Sequence, residues 1–411
     1  MHDEDLPFLL SETGKIVLAS MAGVTVTADN HLKLLTQLRK YLAPEQASAV
    51  LETTLLRQKA AKKFTHAGQM LFTREGLEQA TGEIVAAHRA RRFVAAGYST
   101  IADLGCGIGG DAIALAGQAS VIAIDKQWQH VRMTQANAAA YGVEYSILPV
   151  QADLEQMPPL GAQAFFFDPA RRTTSGPHTS PSRRLRSTQA YQPPLNLIHG
   201  WRSVVPHGAV KVAPGIDYAE IPPDAEVEFV SLKGEVKEGV LWFGRLRDGA
   251  ARRATLLPHG QTLSSADDEI EVEINQPGEY LYEPDGAVIR AHLVRQLAAR
   301  IGATLIDPEI AYLTASTHTA TPFARAFHIE TYFPFQLKRL RAYLRENDIG
   351  KVTIKKRGSP LDPDDLRQAL HLHGETQRIL FLTLIDGQPI VLIGQAADNS
   401  ESDYGQPTSR A

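Results

Sequence analysis

Residues 99–116 read STIADLGCGIGGDAIALA. A short apolar run ends in a cluster of glycines, and small and apolar residues then follow at helical spacing. The expected order is therefore strand, tight turn, helix. Gly105, Gly107 and Gly110 fit G-x-G-x-x-G, with Gly109 as a further glycine. Such a turn lets the backbone approach a ligand held at a helix N-terminus. Cys106 lies inside the turn and reads as a small spacer in preference to a nucleophile.

The turn alone suits a dinucleotide as well as a methionine-bearing cofactor. Asp103, two residues before Gly105, separates the two. A carboxylate there repels a pyrophosphate and attracts an ammonium group. The reading is a site for S-adenosylmethionine. SVIAIDK (120–126) is a second apolar strand ending in Asp125, placed to accept hydrogen bonds from a ribose diol or, alternatively, to act as a surface or capping aspartate. YSILPVQADL (145–154) is a third strand leading to Asp153, which could reach an adenine amino group or serve as a helix N-cap.

AFFFDPARRT (164–173) places Asp168, Pro169, Ala170 and Arg171 at the carboxyl end of a fully apolar strand, where α/β sheets bind ligands. The Asp168 carboxylate and the Pro169 carbonyl can both accept from an exocyclic amine and aim its lone pair at a methyl sulfonium. The plainer alternative is a loop aspartate before a turn-forming proline. Arg171 opens an acid-free stretch that also holds Arg172, Arg183, Arg184 and Arg186, suited to phosphates or to a solvated loop. KVTIKKRG (351–358) gives a second basic cluster, with Lys355, Lys356 and Arg357 beside Lys351. It is a candidate RNA contact or a solvated strand face.

Working outward, residues 1–96 form a helical N-terminal region. HLKLLTQLRKYL, PEQASAVLETTLLRQKAAKKF and EIVAAHRARRFVAAG carry apolar residues at helical spacing, with Pro44 suited to a first turn and Gly97 to a C-cap. Strands alternating with helices over 97–262 predict an α/β fold, a doubly wound Rossmann-like sheet. AEVEFVSLKGEV, GVLWFGRL and RRATLLPHG suit an antiparallel edge. The acidic run DDEIEVEINQPG reads as a connector to a small α+β domain over 280–396. There AVIRAHLVRQLAARIG, PFQLKRLRAYLREN and PDDLRQALHLHG read as helices. Residues 397–411 are polar and expected to be disordered.

Composition narrows the class. The 411 residues carry 42 Lys and Arg against 46 Asp and Glu, a net charge of −4, so any nucleic-acid contact must be local. Cys106 is the single cysteine, which excludes an intrachain disulfide framework, a zinc knuckle or an iron–sulfur cluster. No metal site is expected. MHDEDLPFLL opens acidic and no run reaches the roughly 18 apolar residues of a membrane span. The expectation is a cytoplasmic protein with no membrane partner. Nothing in the sequence sets an oligomeric state.

Taken together, ADLGCGIGGDAIALA, VIAIDKQWQHVRMTQANAAAYGV, QAD and FFFDPAR resemble a class I S-adenosylmethionine-dependent methyltransferase. MLFTREGLEQATGEIVAAHRA is similar to the matching stretch of trimethylguanosine synthase-like RNA methyltransferases. LYEPDGAVIRAHLV, IDPEIAYLT and VTIKKRG make the whole chain resemble bacterial methyltransferases that end in a THUMP-like domain. The resemblance implies that Asp103, Gly105, Gly107 and Gly109 surround the methionine part of the cofactor. It puts Asp125 at the ribose, Asp153 at the adenine, Phe72 and Thr81 nearby, and Asp168 to Arg171 in the catalytic position. THUMP domains bind RNA in several tRNA-modifying enzymes, so the resemblance extends to an RNA partner.

Cap-guanine enzymes carry a second proline and then a tryptophan where this chain has Ala170 and Arg171. A guanidinium stacks on a neutral base but is repelled by a cationic cap base. Uridine C5 enzymes need a late catalytic cysteine, which this chain lacks. The resulting expectation is N-methylation of a base in tRNA or rRNA, with guanine N2 as a candidate atom. The alternatives are a protein or small-molecule methyltransferase, and a non-catalytic RNA-binding assembly factor.

Overall fold

The computed structural model describes residues 5–156, 161–171, 191–265 and 270–397. These fall into two compact units. The first runs to Glu226 and takes in Gly239–Asp248; the second comprises Val227–Glu238 and the residues from Gly249 onward.

The first unit begins with helices α1 (Asp5–Leu10), α2 (Glu12–Ser20), α3 (His31–Leu38), α4 (Pro44–Ala60), α5 (Arg74–Gln79) and α6 (Glu83–Ala95). Pro44 occupies the first turn of α4, where its missing N–H costs nothing. Gly97 follows α6 with φ of 81°. Next come β1 (Thr100–Leu104), α7 (Gly110–Ala116), β2 (Ser120–Asp125), α8 (Trp128–Ala140), β3 (Ile147–Gln151) and β4 (Ala164–Phe167). A two-residue pair, β5 (Ala170–Arg171) and β6 (Tyr191–Gln192), precedes α9 (Leu197–Arg202) and β7 (Gly208–Val212). β8 (Glu226–Leu232) leads into β9 (Glu235–Phe243), whose Gly239–Phe243 half returns to this unit.

The sheet order here is β9-β7-β4-β1-β2-β3. All neighbours are parallel except β9, which runs antiparallel to β7. Chain order reverses between β1 and β4, the switch point at which doubly wound sheets open a ligand crevice. The strands are continuous apolar runs because both faces are covered. Ile101, Val121, Phe166 and Trp242 share one core with Phe72 and Phe93 from the helical region. Asn137 on α8 fastens that region to the turn. Its Oδ1 accepts from the Leu71 N–H at 2.7 Å, and its Nδ2 donates to the Leu71 and Ile108 carbonyls at 3.0 and 2.9 Å.

In the second unit β8 and β9 are joined through Lys233 and Gly234, both at positive φ as a tight hairpin requires. β10 (Arg252–Leu257) pairs with β8 in parallel and with β11 (Gln261–Ser265) antiparallel. The expected antiparallel edge is thus mixed, because the chain crosses over before β10 and does not turn back directly. A second sheet follows, with β12 (Tyr280–Pro284), α10 (Gly286–Arg290), α11 (Val294–Ile301), β13 (Thr304–Leu305), β14 (Leu313–Ala315) and β15 (Ala324–Pro334). It is completed by α12 (Leu337–Glu346), β16 (Ile349–Lys356), α13 (Pro363–Leu370), β17 (Thr376–Ile385) and β18 (Gln388–Ala396). Its order is β13-β14-β12-β15-β18-β17-β16. Leu340, Leu344, Leu366 and Leu370 of α12 and α13 cover one face, against Leu380, Leu382, Val391 and Ile393. The helix expected over 287–302 is two helices, broken where His292 takes φ of 54°. The tail expected to be disordered lies, beyond Ala397, outside the described residues.

Candidate active site

The carboxyl edges of β1, β2 and β4 bring the predicted residues together. Leu104 is in register with Ile124 on one side and Phe167 on the other, so the glycine turn, Asp125 and Asp168 leave the sheet side by side. The Asp168 N–H donates to the Leu104 carbonyl at 3.3 Å. At Gly105, which sits at φ of 83°, a Cβ would stand 3.2 Å from the Asp168 carbonyl oxygen. Only glycine fits the turn and this close approach together.

Asp103 is 1% exposed, and neither of its carboxylate oxygens has a hydrogen-bond partner. Burial raises its pKa well above the ordinary aspartate range. The charges of Asp111 and Asp168 push the same way, against the pull of Arg89. A buried carboxyl with two open oxygens fits a ligand that brings its own N–H donors and positive charge. That is what the methionine ammonium of S-adenosylmethionine offers, so the residues present fit the cofactor.

Asp125 Oδ2 accepts from the Gly107 N–H at 3.0 Å, and Oδ1 accepts from the Gln127 N–H at 2.9 Å. His130 Nδ1 stands 3.2 Å from Oδ2. These bonds tie the glycine turn to the end of β2 and leave further lone pairs on each oxygen. A cavity of about 490 Å³ adjoins them, lined by Glu52, Thr73, Arg74, Glu75, Gln127, Gln129 and His130. Asp153 bonds elsewhere: Oδ2 lies 2.9 Å from Lys126 Nζ, and Oδ1 accepts from the Glu155 N–H at 3.0 Å. The Lys126 bond, then the Glu155 bond, hold its carboxyl below the ordinary value. Phe72 is fully buried against Phe64, with ring centroids 5.9 Å apart.

Two cations that sequence reasoning missed enter this cluster. Lys211 on β7 lies beside Asp168 because Val210 pairs with Phe167. Its Nζ is 2.7 Å from Asp168 Oδ2 and donates to Thr81 Oγ1 at 3.1 Å. Arg89 on α6 pairs with Asp111 at 2.7 Å, sits 3.4 Å from Thr81 Oγ1, and lies over the Phe166 ring at 4.2 Å. A lone lysine in GAVKVAP and a helical arginine in AHRARR carry no local signal of burial. Only the strand register and the packing of α6 bring them here.

Ala170 and Arg171 continue from Asp168 as β5, paired with Gln192 and Tyr191. Arg172, Arg183, Arg184 and Arg186 lie outside the described residues. In the second unit Lys355 Nζ is 2.5 Å from Glu283 Oε2, Arg357 lies 5.1 Å over the Tyr312 ring, and Lys356 donates to the Leu361 carbonyl at 3.0 Å. Among the described residues no group of three or more His, Cys, Asp or Glu side chains is placed to hold a metal ion. No helix there is long and apolar enough to cross a membrane.

The strand order, the glycine turn and the acids at the sheet edge define a class I methyltransferase fold. A family model described as RNA cap guanine-N2 methyltransferase matches residues 98–191, and one described as THUMP domain-like matches residues 324–396. A domain of unknown function matches residues 3–60. The crystal structure of a candidate methyltransferase from Porphyromonas gingivalis W83 superposes with a TM-score of 0.73 at 20% identity. It covers 91% of this chain and all of that one, and it shows the fold. Two Mycobacterium tuberculosis proteins, from strains CDC 1551 / Oshkosh and ATCC 25618 / H37Rv, are each described as an uncharacterized S-adenosylmethionine-dependent methyltransferase. Each is 36% identical over 357 residues, 83% of this chain and 94% of theirs. This chain belongs to the family of S-adenosylmethionine-dependent methyltransferases.

Proposed function

We propose that the enzyme transfers a methyl group to a nitrogen of a base in RNA. The observation that carries this reading is the contact between the two motifs. The Asp168 backbone is bonded to the end of β1, so the catalytic candidates adjoin the orphaned Asp103 carboxyl. The match to an RNA cap guanine-N2 methyltransferase model across these motifs supports an exocyclic amine, and the THUMP-like match supports RNA.

When bound, S-adenosylmethionine supplies an electrophilic methyl on its sulfonium. In this reading Asp103 holds the ammonium, Asp125 the ribose, and Asp153 flanks the adenine. The Gly105–Gly109 turn approaches the cofactor, and Phe72 and Thr81 pack behind it. Asp168 Oδ1 and the Pro169 carbonyl accept the two N–H bonds of the target amine, which aims its lone pair at the methyl. The amine nitrogen gains a methyl and loses a proton, which the Asp168 carboxylate accepts in this reading. Ala170 leaves room beside the base, Arg171 offers a stacking plane, and Arg172, Arg183, Arg184 and Arg186 meet phosphates. Lys355, Lys356 and Arg357 of the second unit's basic strand meet RNA, Lys356 being the exposed one of the three. Lys355 and Arg357 support that strand from Glu283 and Tyr312.

The test is transfer of labelled methyl from S-adenosylmethionine to total RNA from a strain lacking the gene. Label in a tRNA or rRNA fraction is expected with the wild type and is lost with Asp168→Ala, which keeps its affinity for S-adenosylhomocysteine. Asp125→Ala should instead weaken that affinity by about tenfold or more, the cost of a charged hydrogen-bond acceptor. Cofactor binding without label in RNA would turn the search to protein and small-molecule acceptors.

A further inference from the structure

We propose that Lys211 is a positioning residue for methyl transfer: it takes Oδ2 of Asp168 and so presents Oδ1 to the substrate amine. This rests on the reading of Asp168 as the amine acceptor. The inference starts from the two ends of the carboxylate. Oδ2 is 2.7 Å from Lys211 Nζ, within a pair whose side chains are 17% and 25% exposed. The backbone behind it is fixed by the Leu104 carbonyl. An aspartate whose one oxygen is held and whose main chain is bonded has little rotational freedom left, so its other oxygen has a defined direction.

Thr81 makes the arrangement three-sided. Its Oγ1 accepts from Lys211 Nζ at 3.1 Å and lies 3.4 Å from Arg89 Nη2. The ammonium is therefore anchored to the segment entering α6 as well as to β4, and it does not follow Asp168 alone. A lysine placed this way does more than balance charge.

The electrostatics require a cation here. Around this edge stand Asp103 on β1, Asp111 on α7 and Asp125 on β2, with Arg89 on α6 already committed to Asp111 at 2.7 Å. The charge of Asp168 raises the cost of ionising Asp103. An amine acceptor must be a carboxylate at the moment of transfer, because a protonated Asp168 would offer a donor to the amine and leave its lone pair misdirected. Among the described residues Lys211 is the cation in contact with Asp168, at 2.7 Å.

The experiment uses the full chain labelled with [4-13C]aspartate, with the Asp168 resonance assigned by its absence in Asp168→Asn. In Lys211→Met the midpoint of Asp168 should rise by about one pH unit or more, the effect of losing an opposite charge in contact. Lys211→Arg should restore it to within about half a unit, since a guanidinium also pairs with a carboxylate. Lys211→Gln keeps a donor without the charge and gives the same readout where the methionine variant does not fold. An Asp168 midpoint that stays at the wild-type value in both neutral variants overturns the proposal. S-adenosylhomocysteine affinity should change by less than about threefold in all three variants, which separates positioning from damage to the cofactor site. Wherever RNA accepts methyl, the acid limb of the transfer rate should move up in step with the resonance. If RNA accepts none, the titration still decides the role of Lys211 while the RNA reading fails by itself.

Discussion

Arg89 and Asp111 form an ion pair of 2.7 Å behind the glycine turn, with side chains 2% and 11% exposed. Their burial makes them interdependent. Arg89→Leu leaves Asp111 charged and unmatched next to the already buried Asp103, and such a loss typically costs about 3–5 kcal/mol. Urea denaturation of Arg89→Leu should show a loss of that size. The double variant Arg89→Leu/Asp111→Leu should recover much of it, because no uncompensated charge then remains. Equal destabilisation by the single and the double variant would mean the pair matters for its shape alone.

Asp103 makes the ligand-free enzyme sensitive to pH. Its folded-state carboxyl titrates well above an ordinary aspartate, for reasons of burial first and neighbouring acids second. The folded state thus holds a proton that the unfolded chain has released. The contribution of Asp103 to stability is fully present below the ordinary aspartate range and is lost as pH rises through the raised value. Asp103→Asn should flatten that slope. An ammonium group seated on Asp103 favours the charged form, so cofactor binding below the raised value should release a proton. Calorimetry of S-adenosylhomocysteine binding in buffers of different ionisation enthalpy reads that release directly. Wild-type protein that binds with no proton release at any pH above the ordinary aspartate range would remove Asp103 from the ammonium site.

Local geometry is legible in the sequence, and tertiary partnership is not. The glycine turn announces itself because Gly105, Gly107 and Gly109 all take positive φ, a demand that sits within five residues. Asp125 and Asp168 are legible as acids closing apolar strands. Lys211 is not, since its partner Asp168 lies 43 residues away and only the β4–β7 register joins them. Lys355 reads as part of a basic strand cluster, yet Glu283, 72 residues earlier, meets it. The strand β15 escapes the sequence reading, which passes directly from the helix of AVIRAHLVRQLAARIG to that of PFQLKRLRAYLREN. The break at His292 is hidden because its neighbours keep helical periodicity on both sides.

Cys106 is buried in the same turn, and its Sγ is 3.5 Å from Thr134 Oγ1. Burial, then the charges of Asp103 and Asp125, push its thiol well above the ordinary cysteine value. The thiolate is the reactive form, so this group should be inert in the native protein. Ellman's reagent at pH 8 should leave native protein unmodified over hours and titrate one thiol after denaturation. Cys106→Ala should retain transfer within about threefold. Rapid modification of the native protein would reopen a nucleophilic role.

Gly105 offers a way to disturb the meeting of the two motifs without touching a charge. Its φ of 83° already disfavours any residue with a Cβ, at about 1–2 kcal/mol. A methyl there would also stand 3.2 Å from the Asp168 carbonyl oxygen, tighter than ordinary contact. Either the turn or the Asp168 backbone must give way. Gly105→Ala should therefore lower the thermal midpoint and cut methyl transfer more steeply than S-adenosylhomocysteine affinity, because the acceptor's position is lost before the cofactor's. Gly107→Ala is the matched control: φ there is 54° and no atom lies within 4 Å of its added Cβ. It should cost stability while sparing the ratio of transfer to binding. A Gly105→Ala enzyme whose transfer and binding fall by the same factor would mean that the substitution acts through the cofactor turn and not through Asp168.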